Sequence, residues 1–414
     1  MRFQKCDQSE RQVDRGIGAG RDNCSACGHA IDMPLLDVFD APAILGCTSR
    51  PSAIDTFTDF SVFVCRKCGL IQTDARFDLE AYSEAHSLAV GRLWDDHHQM
   101  FLAFISEQIA MAGVSVTDIL EVGPSAKPIA RMLSVGTNNT QIQYADFIRD
   151  TPFILADNEA YSNRGFPASG LDAEFDLIIA SHVIEHVSDV ASFLRGVVDH
   201  LRGTGLAVFS LPNFEAWFKR GYWNALTSEH VSYLVAGQIA EAAARVGLAS
   251  SFAYFKEHSL FFALRRGEGD KIPHSQAPEV SQALLLSWAD QFHHYLQGYD
   301  AVKVDEGDLV LAGASHLAQY LWLMSARIAT YAQFVIDNDT GKHGKRLYGT
   351  PLVAAPFNSI LALKQPVVLI PPSPYSAEME RQVKSLRRDV RVFPNNAAGG
   401  GSEHRDSMGR NLAV

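Results

Sequence analysis

Strand and helix segments alternate through the middle of this chain and predict a doubly wound α/β sheet. Two further features extend that architecture: paired cysteines ahead of the alternation, and a second, shorter strand–helix series behind it. The expected fold is therefore α/β, with a small metal-binding module first, a central sheet carrying helices on both faces, and a second Rossmann-like α/β unit last. At 414 residues and 47% hydrophobic, the chain can bury more than one core.

In chain order, residues 1–22 are rich in Arg, Asp, Gln and Gly without periodicity and read as a flexible tail. Residues 23–75 hold Cys24-x-x-Cys27 and Cys65-x-x-Cys68 with short strands between them. Each pair brings two thiolates to one ion, so Cys24, Cys27, Cys65 and Cys68 complete a closed tetrahedral Zn²⁺ site with no position for water, hence a structural one. Four reduced core cysteines are the plainer alternative. Residues 76–268 form the central unit. Leu93, His97, Met100 and Phe104 recur at helical spacing, with His97-His98, like His293-His294, read as solvated surface. Strands follow at Asp118–Gly123, Gln141–Asp146, Phe175–Ala180 and Gly205–Pro212. Ser188 caps a helix through Leu201 that ends at Gly203, and Ala236–Val246 is a helix closed by Gly247. Phe252–Phe255 and Leu260–Leu264 pair as a final hairpin. Residues 269–395 hold a polar connection, a helix around Leu284–Leu296, strand Leu309–Ala312, helix Leu317–Ile328, and strands Ala332–Asp337 and Val367–Ile370. Residues 396–414 read as a second flexible tail.

Composition excludes several classes. A net charge of -11 argues against nucleic acid, which needs a basic face and which small zinc modules often bind. No apolar run approaches the roughly 20 residues that span a bilayer, and the polar N-terminus is not a signal peptide. The expectation is a cytoplasmic protein, monomeric or weakly homo-oligomeric, acting on a small molecule.

In open α/β sheets, ligands bind beyond the carboxyl ends of the strands near the switch point. Three stretches meet that condition. Glu121-Val-Gly123-Pro-Ser125-Ala-Lys127 is the turn after the first strand, where Gly123 allows close backbone approach. Asp146 ends the second strand and is placed to accept from a ribose hydroxyl. Ser181-His182-Val-Ile-Glu185-His186 follows the strand Phe175–Ala180.

Together these stretches resemble a class I S-adenosylmethionine-dependent methyltransferase over about residues 115–265, most clearly at Phe175–Val187 and its run into Leu201–Leu206. The resemblance implies S-adenosylmethionine held by Glu121, Gly123, Ser125, Asp146 and Ser181. The family has three glycines in the first turn; here Ser125 and Lys127 stand at two of those places, and Lys127 bears on the depth of the pocket. The cysteine module ending Cys68-Gly-Leu-Ile-Gln72 and the C-terminal Gly313-Ala-Ser315, Asp337-Asn338, Lys342-His-Gly-Lys345 and Gly349-Thr350 resemble the sugar C-methyltransferases of deoxysugar pathways. The Lys-Gly usual after the first C-terminal turn is replaced by His316-Leu317.

That narrower resemblance implies C-methylation of a nucleotide-linked keto-deoxysugar. It further implies His230 as the base that removes the α-proton, Glu229 beside it, His186 at the ketone oxygen, and Tyr82 as the nearest match to an active-site tyrosine. Phe214, Trp217, Phe218, Tyr222 and Trp223 either wall the pocket or belong to the core. The alternatives are O-methylation of another small molecule, and a non-catalytic scaffold in a glycan pathway that has lost the cofactor.

Overall fold

The computed structural model describes residues 1–6, 21–75, 91–125, 127–133, 140–147, 153–167, 173–267, 277–303 and 308–394. The N-terminal strands are β1 (Arg2–Lys5), β2 (Leu36–Pro42), β3 (Cys47–Thr48), β4 (Phe57–Val64) and β5 (Ile71–Thr73). The central unit supplies β6 (Asp118–Val122), β7 (Gln141–Ala145), β8 (Glu159–Ser162), β9 (Phe175–Ser181), β10 (Leu201–Pro212), β11 (Ser232–Tyr233), β12 (Leu248–Phe255) and β13 (Ser259–Arg266). The C-terminal unit holds β14 (Asp308–Ala312), β15 (Ala332–Ile336), β16 (Arg346–Leu347), β17 (Ala354–Ala355), β18 (Pro366–Ile370) and β19 (Arg391–Pro394).

The central sheet runs β12-β13-β10-β9-β6-β7-β8, parallel throughout except for the antiparallel β12–β13 hairpin on the β10 side. Its middle strands are continuous apolar runs because both faces are covered. In β9, Leu177 and Ile179 face Phe101, Phe104 and Ile105 of the helix Arg92–Ala112. The alternate residues Ile178 and Ala180 face Phe193, Leu194 and Val197 of the helix Val190–His200. Strand order reverses between β6 and β9, so the crevice opens above their carboxyl ends.

The C-terminal sheet, β17-β15-β14-β18-β19, is parallel throughout. The expected single helix Leu317–Ile328 breaks in two, His316–Met324 and Ala326–Tyr331. Ser325 causes the break: its hydroxyl accepts from the Ile328 amide at 3.0 Å and starts a new helix.

Several expectations need correcting. The stretch read as a tail through residue 22 begins with a strand: β1 pairs with β2, and Phe3 is buried against Trp288, Phe292 and Tyr320. Its partners lie nearly 300 residues away, beyond any local periodicity. The helix around Leu284–Leu296 extends from Pro278 to Asp300 and carries much of that cluster. The helix after β9 is capped by Asp189, whose carboxylate accepts from the Ser192 amide at 2.9 Å, rather than by Ser188. Strand β10 starts at Leu201, where a helix end was expected, because Leu201 already pairs with Phe175 ahead of a register shift. His97 is wholly buried where a solvated residue was expected. The edge strands β8, β17 and β19 went unread because short edges lack the apolar run of central strands. The C-terminal tail, and Tyr82 with it, lies outside the described residues.

The burial of Phe3 gives a direct test. Phe3→Ala is expected to lower unfolding free energy by about 3 kcal/mol in urea denaturation, as an aromatic deleted from a core does. A loss under about 0.5 kcal/mol would return residues 1–6 to the status of a tail.

Candidate active site and cysteine cluster

Two tight turns build the cysteine cluster. In each, the glycine after the pair adopts φ of +69° and donates its amide to the first cysteine's carbonyl: Gly28 to Cys24, and Gly69 to Cys65, both at 2.9 Å. The four sulfurs lie within 4.8 Å of one another, with Cys24–Cys68 and Cys27–Cys65 at 3.6 Å. Tetrahedral Zn–S bonds of about 2.3 Å put sulfurs roughly 3.8 Å apart, so the set fits zinc closely. None is a disulfide, whose sulfurs sit about 2 Å apart. Hydrogen bonds from Cys24 and then Cys68 hold the Cys65 thiol far below its usual pKa.

This module reaches the central crevice through β5. Leaving the second turn, β5 pairs antiparallel with β11, Gln72 opposite Ser232 and Ile71 opposite Tyr233. The Thr73 amide donates to the Val231 carbonyl at 3.1 Å, and the Val231 amide to the Glu185 carbonyl at 2.9 Å. Glu229 and His230 thus hang between the module and the loop after β9.

A cavity of about 900 Å³ lies over the crevice, a size suited to a cofactor together with part of a substrate. The sequence-predicted residues Glu121, Gly123, Ser125, Asp146, Ser181, His186, Glu229 and His230 all line it. Gly123 holds φ of +64°, and a Cβ there would fall 2.7 Å from Val183 Cγ2, so the turn requires glycine. Ser125 closes its own small turn, its hydroxyl 3.1 Å from both the amide and the carbonyl of Lys127. That turn leaves Lys127 exposed and off the cavity wall, so the lysine does not make the pocket shallow. Glu121 acts on the fold: its oxygens accept from the Ile129 and Ala130 amides at 3.0 and 2.8 Å. Burial pushes this carboxyl up to about 7. Asp146 stands at the end of β7 as expected, beside an exposed Phe147 that also lines the cavity.

At the other end, His186 and His230 face each other with ring centres 4.9 Å apart. His186 Nδ1 lies 2.9 Å from the Glu229 carbonyl. A carbonyl only accepts, so Nδ1 carries the proton and Nε2 is the acceptor nitrogen of the neutral ring. His230 Nδ1 is buried with no partner among the described residues. Burial, then the neighbouring His186, holds His230 well below the ordinary imidazole pKa. Burial likewise lowers His186 and pushes Glu229 up to about 7, opposed by a hydrogen bond from the Leu45 amide. The cavity therefore holds two neutral imidazoles and, elsewhere on its wall, a carboxyl poised to titrate near neutral pH.

Some lining residues escaped sequence reading as site residues. Glu185 is fully buried, its carboxylate within 4.8 Å of His186 and His230. Its place between two histidines was the available signal. Ser315, Asp337, Asn338 and Lys342 reach the same cavity from the C-terminal sheet, where Asp337 accepts from the Ala314 amide at 2.7 Å and pairs with Lys342 at 3.3 Å. Phe214, Trp217, Phe218 and Trp223 are buried core away from the wall.

Residues 91–250 match the family model described as Methyltransferase domain, less than half of the chain. No curated protein matches the sequence. Similar solved structures include an S-adenosylmethionine-dependent methyltransferase from Clostridium acetobutylicum, at 9% identity, 41% of this chain, 92% of that one and TM-score 0.33. An N-methyltransferase from Bradyrhizobium japonicum shares 15% identity over 44% of this chain and 91% of its own, with TM-score 0.32. Magnesium protoporphyrin IX methyltransferase from Synechocystis shares 10% over 43% and 85%, also at 0.32. These likenesses say nothing about substrate. The matched span is an α/β unit with a mixed sheet, and residues 91–250 are similar to a methyltransferase domain. No described helix is long and apolar enough to cross a membrane.

The turn at Gly123 is the most exacting element of this site. Gly123→Ala is expected to cost about 1–3 kcal/mol through left-handed strain, read as a lowered melting temperature. S-adenosylhomocysteine binding should weaken with it in calorimetry; unchanged affinity would place the cofactor away from this turn.

Proposed function

We propose that the chain methylates carbon: it transfers the methyl of S-adenosylmethionine to the carbon next to a ketone on a nucleotide-linked deoxysugar. The observation that carries this reading is the His186–His230 pair. Two neutral, half-buried imidazoles opposite the cofactor turn suit removal of a carbon-bound proton better than they suit methylation of an oxygen, which needs no carbon acid. Gly123, Ser125, Asp146 and Ser181 would hold S-adenosylmethionine, which supplies an electrophilic methyl when bound, while Glu121 shapes the turn behind them. The C-terminal wall of Ser315, Asp337, Asn338 and Lys342 gives a polar reach suited to the nucleotide. A Zn²⁺ in the cysteine cluster would brace β5 and with it the Glu229–His230 loop.

His230 takes the α-proton; its lowered basicity keeps it in the free-base form through neutral pH. Glu229, part-ionised near pH 7, stabilises the imidazolium that results. The neutral tautomer of His186 turns its acceptor nitrogen away from the Glu229 carbonyl. It therefore donates to the enolate oxygen only once protonated, a more demanding role than that of a standing donor.

His230→Ala should abolish methyl transfer and the exchange of the sugar's α-proton with deuterated solvent, while S-adenosylhomocysteine still binds. Near-normal exchange would assign the base elsewhere. A screen of labelled S-adenosylmethionine against nucleotide-linked keto-sugars tests the substrate class directly. The pH profile separates the two groups. If the Glu229 carboxylate is needed, activity rises through about pH 7, and Glu229→Gln moves the acid limb below the ordinary imidazole range near 6.5. An unmoved limb would remove Glu229 from the chemistry.

The cluster should carry one zinc. Cys27→Ser is expected to lose that metal and, because β5 pairs with β11, to lower methyl transfer as well as solubility. A metal-free protein of full stability and activity would overturn the structural role.

A further inference from the structure

A second group of ligand-type side chains lies on the other side of His182 and is not used by the reaction above. His97, on the helix Arg92–Ala112, His182, just beyond β9, and His258, between β12 and β13, each offer an atom within 4.8 Å of the others. Their ring centres are 5.3, 5.5 and 6.0 Å apart. For metal–nitrogen bonds of about 2.1 Å in tetrahedral geometry, ring centres stand roughly 5.2 Å apart. The three rings are thus spaced almost as ligands of one ion.

Two further observations concern the nitrogens. His182 Nε2 and His258 Nδ1 converge on the Ser259 hydroxyl, at 3.4 and 2.6 Å. Their outer nitrogens meet other partners: His258 Nε2 lies 3.0 Å from the Tyr375 hydroxyl, and His182 Nδ1 lies 3.2 Å from Glu185 Oε1. For His182 and His258 this resembles the outer-shell pattern that orients metal-binding histidines, a carboxylate near the far side of one ring and a hydroxyl bonded to the other. His97 is the stronger sign. It is wholly buried, and neither ring nitrogen has a hydrogen-bond partner among the described residues. An orphaned buried polar group costs about 1–3 kcal/mol and calls for an ion or water as its partner.

We propose that His97, His182 and His258 bind a borderline divalent cation of the Zn²⁺, Co²⁺ or Ni²⁺ kind, separate from the four-cysteine cluster. The donor set is nitrogen with a neighbouring hydroxyl, which suits those ions over Mg²⁺ or Ca²⁺. Phe101, Phe255 and Phe261 pack around His97, and Trp94 covers all three rings, an apolar shell that excludes competing water. Burial keeps His97 and His258 far below the usual imidazole pKa, so both lone pairs are available at neutral pH. Three protein ligands leave one coordination position open. His182 also lines the cavity and holds φ of +56°, so the ion would lock the cavity rim to the helix Arg92–Ala112.

The test is a Co²⁺ titration of the full-length protein after chelator treatment, followed by absorption spectroscopy. Thiolate ligation gives an intense near-ultraviolet charge-transfer band; imidazole ligation gives only weak visible bands. The expected result includes one equivalent without the thiolate band, whatever the cysteine cluster does. His97→Gln and His258→Gln should each weaken that equivalent at least tenfold and leave the thiolate band unchanged. If either variant fails to fold, the wild-type titration decides. Binding confined to the thiolate band, or a second equivalent untouched in a folded His97→Gln protein, overturns the proposal.

Discussion

The short pairing of β5 with β11 is the contact that joins the cysteine module to the loop on the cavity wall. It consists of two residues on each side, Ile71-Gln72 against Ser232-Tyr233, too little to hold by itself. Its strength comes from its neighbours. The second cysteine turn feeds directly into β5, the Gln238 side chain donates to the Cys68 carbonyl at 3.1 Å, and Arg245 donates to the Ala26 carbonyl at 3.1 Å. The hydroxyls of Ser25 and Ser232 meet at 3.0 Å. The cysteine module is thereby fastened to the helix Ala236–Arg245, and the loop carrying Glu229 and His230 lies between them. The cysteines lie off the cavity wall, yet their module pairs with the strand that follows the loop carrying the imidazole.

The same packing sets the electrostatics. Removing water from imidazoles disfavours their charged form, and removing it from a carboxyl disfavours the anion. In one cavity the first effect leaves His186 and His230 neutral, while the second brings Glu229 up to about 7. Groups that are far apart in basicity in water are thus brought toward one another, which suits proton transfer at neutral pH.

Three units close around that cavity through a few specific contacts rather than one broad face. Arg346 grips Asp55 with both terminal nitrogens, at 2.6 and 2.8 Å, joining the C-terminal unit to the cysteine module. The buried Gln319 amide donates to the Ile44 and Tyr348 carbonyls at 2.8 and 2.9 Å. The Tyr320 hydroxyl donates to the Leu226 carbonyl at 3.1 Å, close to the active-site loop. Apart from the Gln319–Tyr348 bond, which lies within the C-terminal unit, each is a side chain of one unit satisfying a group of another, which fixes orientation where apolar packing would allow slippage.

The parallel core was legible because a doubly covered strand such as Phe175–Ala180 must be apolar throughout, and the cysteine pairs because one ion needs its ligands at short spacing. Gly123, Asp146 and His186 were legible as residues at strand ends, where α/β sheets bind ligands, whereas Glu229 and His230 were singled out only by the family resemblance. Strand β1, the buried His97 and the His97–His182–His258 group were not. The three histidines are separated by up to 161 residues, and a histidine on a polar helix looks the same in sequence whether it meets water or another ring. Sequence by itself determined the central parallel strands, which turn needs glycine, and which thiols can share a metal, since these follow from local sterics, periodicity and spacing. Only the tertiary structure decided that β5 reaches β11, that Lys127 points away from the pocket, and that one cavity gathers residues from three units. Those outcomes depend on long-range burial and pairing, which no local pattern encodes.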